Sequence, residues 1–176
     1  VVLDIRIAVN YLAPYILTEN IVSVLEKSTE TRVINLSSAA QTSVKKGILT
    51  GDVAINASDA YAQSKLALTM WSFHFAKQHP SITTIAVTIV AVNPGSLLNT
   101  KMAKEAYGQH WSPAEKGVNI LYDLATSDAY KDATGKYFDN DKGETMGHFS
   151  QTHPDAYDID LIENLLETTK SMVSEL

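Results

Sequence analysis

The segment from Ser81 to Val92 places the strongest constraint on what this chain can fold into. It is a near-continuous apolar run that ends at Asn93-Pro94-Gly95. Its aliphatic members are Ile82, Ile85, Val87, Ile89, Val90 and Val92. A strand that is apolar on both faces belongs in the centre of a parallel sheet, because helices cover both sides of such a sheet. The sequence therefore predicts an α/β fold.

Helical and strand patterns alternate along the rest of the chain, which is typical of a parallel α/β sheet. Apolar spacing predicts helices over residues 4–27, 59–78, 112–125 and 158–171, and short strands over 31–37 and 135–138. Pro14 is expected to kink the first helix. A length of 176 residues fits a single domain spanning residues 1–176.

Composition excludes several classes of function. A net charge of −6 argues against nucleic acid as a partner and against an electrostatic membrane anchor. No apolar run is long enough to span a bilayer. The chain has no cysteine, and the spacing of its five histidines predicts no metal site.

The segments after Ser37 and after Val92 lie where chemistry is expected. Open parallel sheets bind ligands beyond the carboxyl ends of their strands, and the strand predicted over 31–37 ends in Ser37-Ser38. The next helix carries Tyr61 and Lys65, four positions apart and therefore on one face. A lysine ammonium stabilises a phenolate and so lowers the pKa of the tyrosine. A lower pKa makes the tyrosine a better acid–base catalyst near neutral pH. A serine hydroxyl nearby would hold the substrate oxygen.

Four motifs together resemble the short-chain dehydrogenase/reductase family. They are Asn10 within a helix, Asn35-Leu36-Ser37-Ser38, Tyr61-Ala62-Gln63-Ser64-Lys65, and Asn93-Pro94-Gly95. They occur in the family's order, and the resemblance covers residues 1 to about 140. Tyr-Ala-Gln-Ser-Lys-Leu-Ala and Gly-Lys-Tyr-Phe look nearest to the retinol-dehydrogenase-like branch. The family's fold is a Rossmann-type doubly wound parallel sheet.

The resemblance implies a role for each matching residue. Tyr61 corresponds to the catalytic acid/base, and Lys65 to the lysine that lowers the tyrosine pKa and binds the nicotinamide ribose. Ser38, rather than Ser37, corresponds to the serine that orients the substrate carbonyl. Asn10 corresponds to the asparagine that holds a water in the proton relay.

The implied cofactor is NAD or NADP. The residues expected beside the nicotinamide, in addition to Tyr61 and Lys65, are Pro94, Gly95, Leu97 and Thr100.

The chain departs from the family pattern in three places. Ser38 and Tyr61 are 23 positions apart, so residues 41–58 are interpreted as a surface excursion bordering the active site. Asn99 occupies the slot in which the family has a threonine, and Thr100 follows it. The family's N-terminal glycine-rich loop is absent, which predicts that the N-terminal cofactor-binding segment is missing from this chain.

The expected function is an NAD(P)-dependent oxidoreductase that acts on a small-molecule alcohol or ketone. A sugar-nucleotide epimerase or dehydratase, and a non-catalytic nucleotide-binding or interaction protein of the same fold, are the alternatives. The missing loop favours the second alternative for the chain as given. We further expect a cytoplasmic protein and a homo-oligomer, such as a dimer formed through the two long helices.

Overall fold

The computed structural model describes residues 3–27, 31–79, 88–93, 98–99, 101, 104–105, 108, 113–140 and 147–175. Its strands are β1 (Arg32–Leu36), β2 (Thr88–Asn93), β3 (Lys136–Asp139) and β4 (His148–Ser150). Its α-helices are α1 (Ile5–Ile7), α2 (Ala13–Leu25), α3 (Ala57–Gln78), α4 (Ala114–Thr126) and α5 (Ile159–Val173). A π-helical turn (Ala8–Leu12) joins α1 to α2, and 3-10 turns span Asp128–Tyr130 and Pro154–Tyr157.

Within the described residues, the strands form one sheet in the order β1-β2-β3-β4. Strand β2 pairs in parallel with β1 and with β3, with Leu36 opposite Val92 and Val92 opposite Phe138. Strand β4 runs antiparallel to β3. The predicted parallel α/β sheet is therefore confirmed, and β4 is an antiparallel edge strand that the sequence pattern did not indicate.

Helices cover both faces of the sheet. Alternate residues of a strand point to opposite faces, and Val33 and Tyr137 join a large cluster with α3 and α5. Their neighbours Ile34 and Phe138 join a second cluster, built on α4. The arrangement of helix layers around a largely parallel sheet is the predicted doubly wound architecture.

Helix α3 is the centre of the larger cluster. Most of its length is buried, including Leu66, Met70 and Trp71, because α2, the sheet and α5 all surround it. Its N-cap is Asn56, whose side chain accepts a hydrogen bond from the Asp59 backbone N–H at 2.8 Å. A helix enclosed on several sides holds its side chains in fixed positions, and these side chains include Tyr61 and Lys65.

The first helix is interrupted, but not by the simple proline kink that was expected. The irregularity is the π-helical turn Ala8–Leu12, which lies just before Pro14. A proline ring collides with the carbonyl four residues earlier and offers it no N–H. The wider turn accommodates Pro14 while α2 continues behind it.

In the described part of the chain, no helix is both long enough and apolar enough to cross a bilayer.

Candidate functional site

The two serines at the end of β1 have different environments. Ser37 is buried, and its Oγ lies 2.7 Å from Thr69 Oγ1 and 3.3 Å from the Lys65 carbonyl oxygen. Ser38 is half-buried, and its Oγ accepts a hydrogen bond from the Ala40 backbone N–H at 3.1 Å. No described residue accepts the Ser38 hydroxyl proton. Ser37 thus serves the packing of α3 against β1, whereas Ser38 is the less buried of the two.

Tyr61 and Lys65 lie one turn apart on α3. The Lys65 ammonium is 5.5 Å from the centroid of the Tyr61 ring. It also donates a hydrogen bond to the Leu36 carbonyl oxygen at 2.7 Å, near the end of β1. The lysine thus joins the tyrosine face of α3 to the strand end that carries the two serines.

The environment of Lys65 affects its protonation. Its side chain is only 9% exposed, and no described carboxylate pairs with it. Burial lowers the pKa of Lys65 from 10.5 to about 8, because removal of water disfavours the ammonium form. The Lys65 amine therefore loses its proton closer to neutral pH than the amine of a surface lysine does.

Asn10 lies inside the π-helical turn and contacts the same region of α3. Its Nδ2 donates to Ser64 Oγ at 3.1 Å, and Ser64 Oγ donates to the Tyr61 carbonyl oxygen at 2.6 Å. Because Pro14 has no N–H, the Asn10 carbonyl cannot accept the usual α-helical hydrogen bond from residue 14. The structure therefore connects Asn10 to the Tyr61 turn through Ser64.

The remaining sequence-predicted site residues lie outside the described residues. They are Pro94, Gly95, Leu97 and Thr100. Strand β2 ends at Asn93, and its pairing with β1 sets Val92 opposite Leu36. The backbone therefore leaves β2 at the same sheet edge that carries Ser37 and Ser38.

Residues 41–58, which were interpreted as a surface excursion, are not only that. Ile48 and Leu49 are buried and belong to the main hydrophobic cluster. The Lys45 backbone N–H donates to Gln63 Oε1 at 2.9 Å, which fastens the segment to α3. The expectation was wrong on this point because apolar residues within the segment complete the core around α3.

Three residues that were not predicted as site residues support the Ser38 backbone, two of them directly and the third through Gln41. Gln41 Nε2 donates to the Ser38 carbonyl oxygen at 2.8 Å, and Tyr137 Oη donates to the same oxygen at 3.0 Å. Thr152 Oγ1 donates to Gln41 Oε1 at 3.0 Å. Thr152 lies 111 positions beyond Gln41, so no local sequence pattern could have indicated their contact.

Known proteins resemble the chain in sequence. Retinol dehydrogenase 12 of Bos taurus is 29% identical over 150 residues, a match covering 79% of this chain and 46% of that protein. No family model matches the chain. The chain thus spans about half the length of the curated relative that it matches.

Solved structures resemble it in fold. An uncharacterised protein of Mycobacterium paratuberculosis has a TM-score of 0.69 at 18% identity, over 96% of this chain and 58% of that one. The short chain dehydrogenase of Salmonella enterica subsp. enterica serovar Typhi has a TM-score of 0.56 at 24% identity, over 76% and 50% of the two chains. Landomycin C-6 ketoreductase LanV, with bound NADP and rabelomycin, has a TM-score of 0.54 at 26% identity, over 78% and 50%.

These similarities agree with the motifs. The chain has the Rossmann-type fold of the short-chain dehydrogenases/reductases and covers part of that fold. Its sequence is similar to that of a retinol dehydrogenase.

Proposed function

We propose that the protein containing this chain is an NAD(P)-dependent oxidoreductase that interconverts an alcohol and a carbonyl compound, with Tyr61 as the acid/base. The names of its relatives, a retinol dehydrogenase and an NADP-bound ketoreductase, support this reaction class. The substrate belongs to the alcohols and ketones, and the choice between NAD and NADP stays open.

One observation carries the proposal. The Lys65 ammonium lies over the Tyr61 ring and is hydrogen-bonded to the Leu36 carbonyl, two residues before Ser38. Lys65 thus links the Tyr61 turn of α3 to the carboxyl end of β1, the strand end that carries Ser38. Ligands bind at this edge in open α/β sheets.

Tyr61, Ser38 and Lys65 would have different roles in the proton transfer. In carbonyl reduction, the Tyr61 hydroxyl gives its proton to the substrate oxygen, and the Ser38 hydroxyl donates a hydrogen bond to that oxygen. The Lys65 ammonium stabilises the resulting phenolate. When bound, the nicotinamide supplies the hydride in reduction and accepts it in oxidation.

The chemistry of the described donors fits a nicotinamide nucleotide. An ammonium has three N–H donors, and Leu36 takes one of those of Lys65. The other two N–H groups of Lys65 would donate hydrogen bonds to ribose hydroxyls. Asn10, held against Ser64, would hold a water near Lys65. Pro94, Gly95, Leu97 and Thr100 remain proposed nicotinamide contacts.

We also propose that the protein is a homo-oligomer. The first helical stretch carries large apolar side chains that the described residues leave exposed, namely Ile5, Val9, Leu17, Ile21 and Val24. Their spacing sets most of them along one side of the helix. An exposed apolar stripe of this kind favours a partner surface.

The Tyr61→Phe variant of the intact protein tests the proposed reaction. It removes only the phenol oxygen, so turnover is expected to fall by roughly 10² to 10⁴, the usual contribution of a general acid. The measurement is nicotinamide absorbance during reaction with a panel of alcohols and ketones. Tyr122→Phe is the matched control, because Tyr122 is 66% exposed on α4.

The outcomes separate the alternatives. Unchanged turnover in Tyr61→Phe would remove the catalytic assignment. A wild-type protein that binds nicotinamide nucleotides but turns over no substrate would favour the non-catalytic alternative. Turnover confined to sugar nucleotides would favour the epimerase or dehydratase.

A further inference from the structure

The carbonyl of Ser38 is held from two directions. Tyr137 Oη and Gln41 Nε2 both donate to its oxygen, at 3.0 and 2.8 Å. These bonds fix the plane of the peptide that follows Ser38, and therefore the direction in which the strand end leaves the sheet. The Ser38 hydroxyl is attached to this fixed backbone.

The orientation of the Gln41 amide follows from its partners. A carbonyl oxygen only accepts hydrogen bonds, so the NH₂ group of Gln41 must face Ser38. The Gln41 oxygen then faces Thr152, whose hydroxyl must donate to it, at 3.0 Å. Gln41 Nε2 also lies 3.3 Å from Ser37 Oγ. Removing the Thr152 hydroxyl would take away the hydrogen bond to the Gln41 oxygen and leave the amide held only through its NH₂ group.

Thr152 is itself fastened to the helix that carries Tyr61 and Lys65. Its backbone N–H donates to Tyr157 Oη at 3.1 Å. The Tyr157 ring lies 5.4 Å from that of Phe73 on α3. The segment after β4 therefore links α3 to the strand end through Thr152 and Gln41.

We propose that Gln41 and Thr152 are positioning residues that hold the Ser38 hydroxyl in its productive direction. This inference rests on the proposed oxidoreductase function. Neither side chain has a group left for the substrate oxygen within these contacts, so each acts through Ser38. Misplacement of a catalytic group by an ångström or less is enough to reduce turnover.

The Thr152→Val variant of the intact protein removes the hydroxyl and keeps the shape of the side chain. The expected result is a fall in kcat on the order of tenfold or more, with an unchanged KM for the nicotinamide nucleotide. Thr152→Ser restores the hydroxyl and is expected to restore kcat. Thr126→Val, an exposed threonine at the end of α4, is the matched control for loss of a hydroxyl.

The effect must depend on Ser38. In a Ser38→Ala background, Thr152→Val is expected to cause no further loss, because its route to the substrate is already removed. An equal loss in both backgrounds, or full activity of Thr152→Val, would overturn the positioning role. A Tyr61→Phe variant that keeps its turnover would instead refute the proposed function.

A second measurement does not need activity. The Ala40 amide donates to Ser38 Oγ, so its NMR resonance reports on that hydroxyl. Thr152→Val and Gln41→Met are expected to move this resonance in the same direction, whereas Thr152→Ser leaves it in place. An unmoved Ala40 resonance in both disrupting variants would refute the link from Thr152 to Ser38.

Discussion

Replacement of Lys65 by methionine should change the stability of the protein in a pH-dependent way. Folding buries the Lys65 ammonium and lowers its pKa from 10.5 to about 8. At pH values below both pKa values, the folded protein carries the full cost of this buried charge. The difference corresponds to about 3 kcal/mol, at about 1.4 kcal/mol per pKa unit.

The direction of the effect follows from proton binding. Between about pH 8 and pH 10.5, the unfolded chain holds the Lys65 proton more strongly than the folded one. The free energy of unfolding therefore rises with pH across this window through the contribution of Lys65. Methionine has no proton to lose, so the variant lacks this rise.

The expected difference can be worked out. Near pH 7, Lys65→Met avoids the cost of about 3 kcal/mol but loses the hydrogen bond from the charged ammonium to Leu36, worth about 2 kcal/mol. The variant should therefore be about 1 kcal/mol more stable than the wild type near pH 7. The stability of the variant relative to the wild type should fall by about 2 kcal/mol between pH 7 and about pH 9.5.

Urea unfolding of the wild type and the variant at several pH values measures the difference. Lys77→Met is the control for the loss of an ammonium, because Lys77 is exposed on the same helix. A Lys65→Met difference that does not change with pH would refute the argument that Lys65 is charged at a cost in the folded state.

Two further predictions concern packing and assembly. A Cβ added at Gly147 would lie 2.5 Å from Phe138 Cε1 and 2.6 Å from the Asp139 carbonyl oxygen, so Gly147→Ala should lower the free energy of unfolding by about 1–3 kcal/mol; unchanged urea unfolding would show that β3 and β4 adjust freely. Leu17→Glu adds a charge to the exposed apolar side of α2, where Leu17 is 63% exposed, and should shift the intact protein towards monomer in sedimentation velocity. A wild-type protein that is already monomeric would contradict the proposed homo-oligomer.

The sequence alone predicted the architecture, and it suggested the proposed chemical centre of the site. Apolar runs and helical spacing predicted the parallel strands β1, β2 and β3 and the helices around them, because burial on both faces leaves a clear local pattern. The four-residue spacing of Tyr61 and Lys65 predicted their shared helical face, since helix geometry is also local. Features that depend on residues close together in the chain can therefore be predicted from the sequence pattern.

Other features were decided by contacts between distant residues. The short strand β4 has three residues, His148–Ser150, too few for a recognisable alternation, and it exists because it pairs with β3. The buried environment of Lys65 depends on the packing of α3 against β1. No sequence pattern around Lys65 indicates this packing.

The support of Ser38 is the clearest case. Gln41 and Tyr137 reach its carbonyl from the loop after β1 and from β3, and Thr152 reaches Gln41 from the segment after β4. A hydrogen bond needs an alignment within a few tenths of an ångström, which only the packed sheet and helices can set. The sequence supplied the proposed reacting groups, and packing between distant elements sets how they are held.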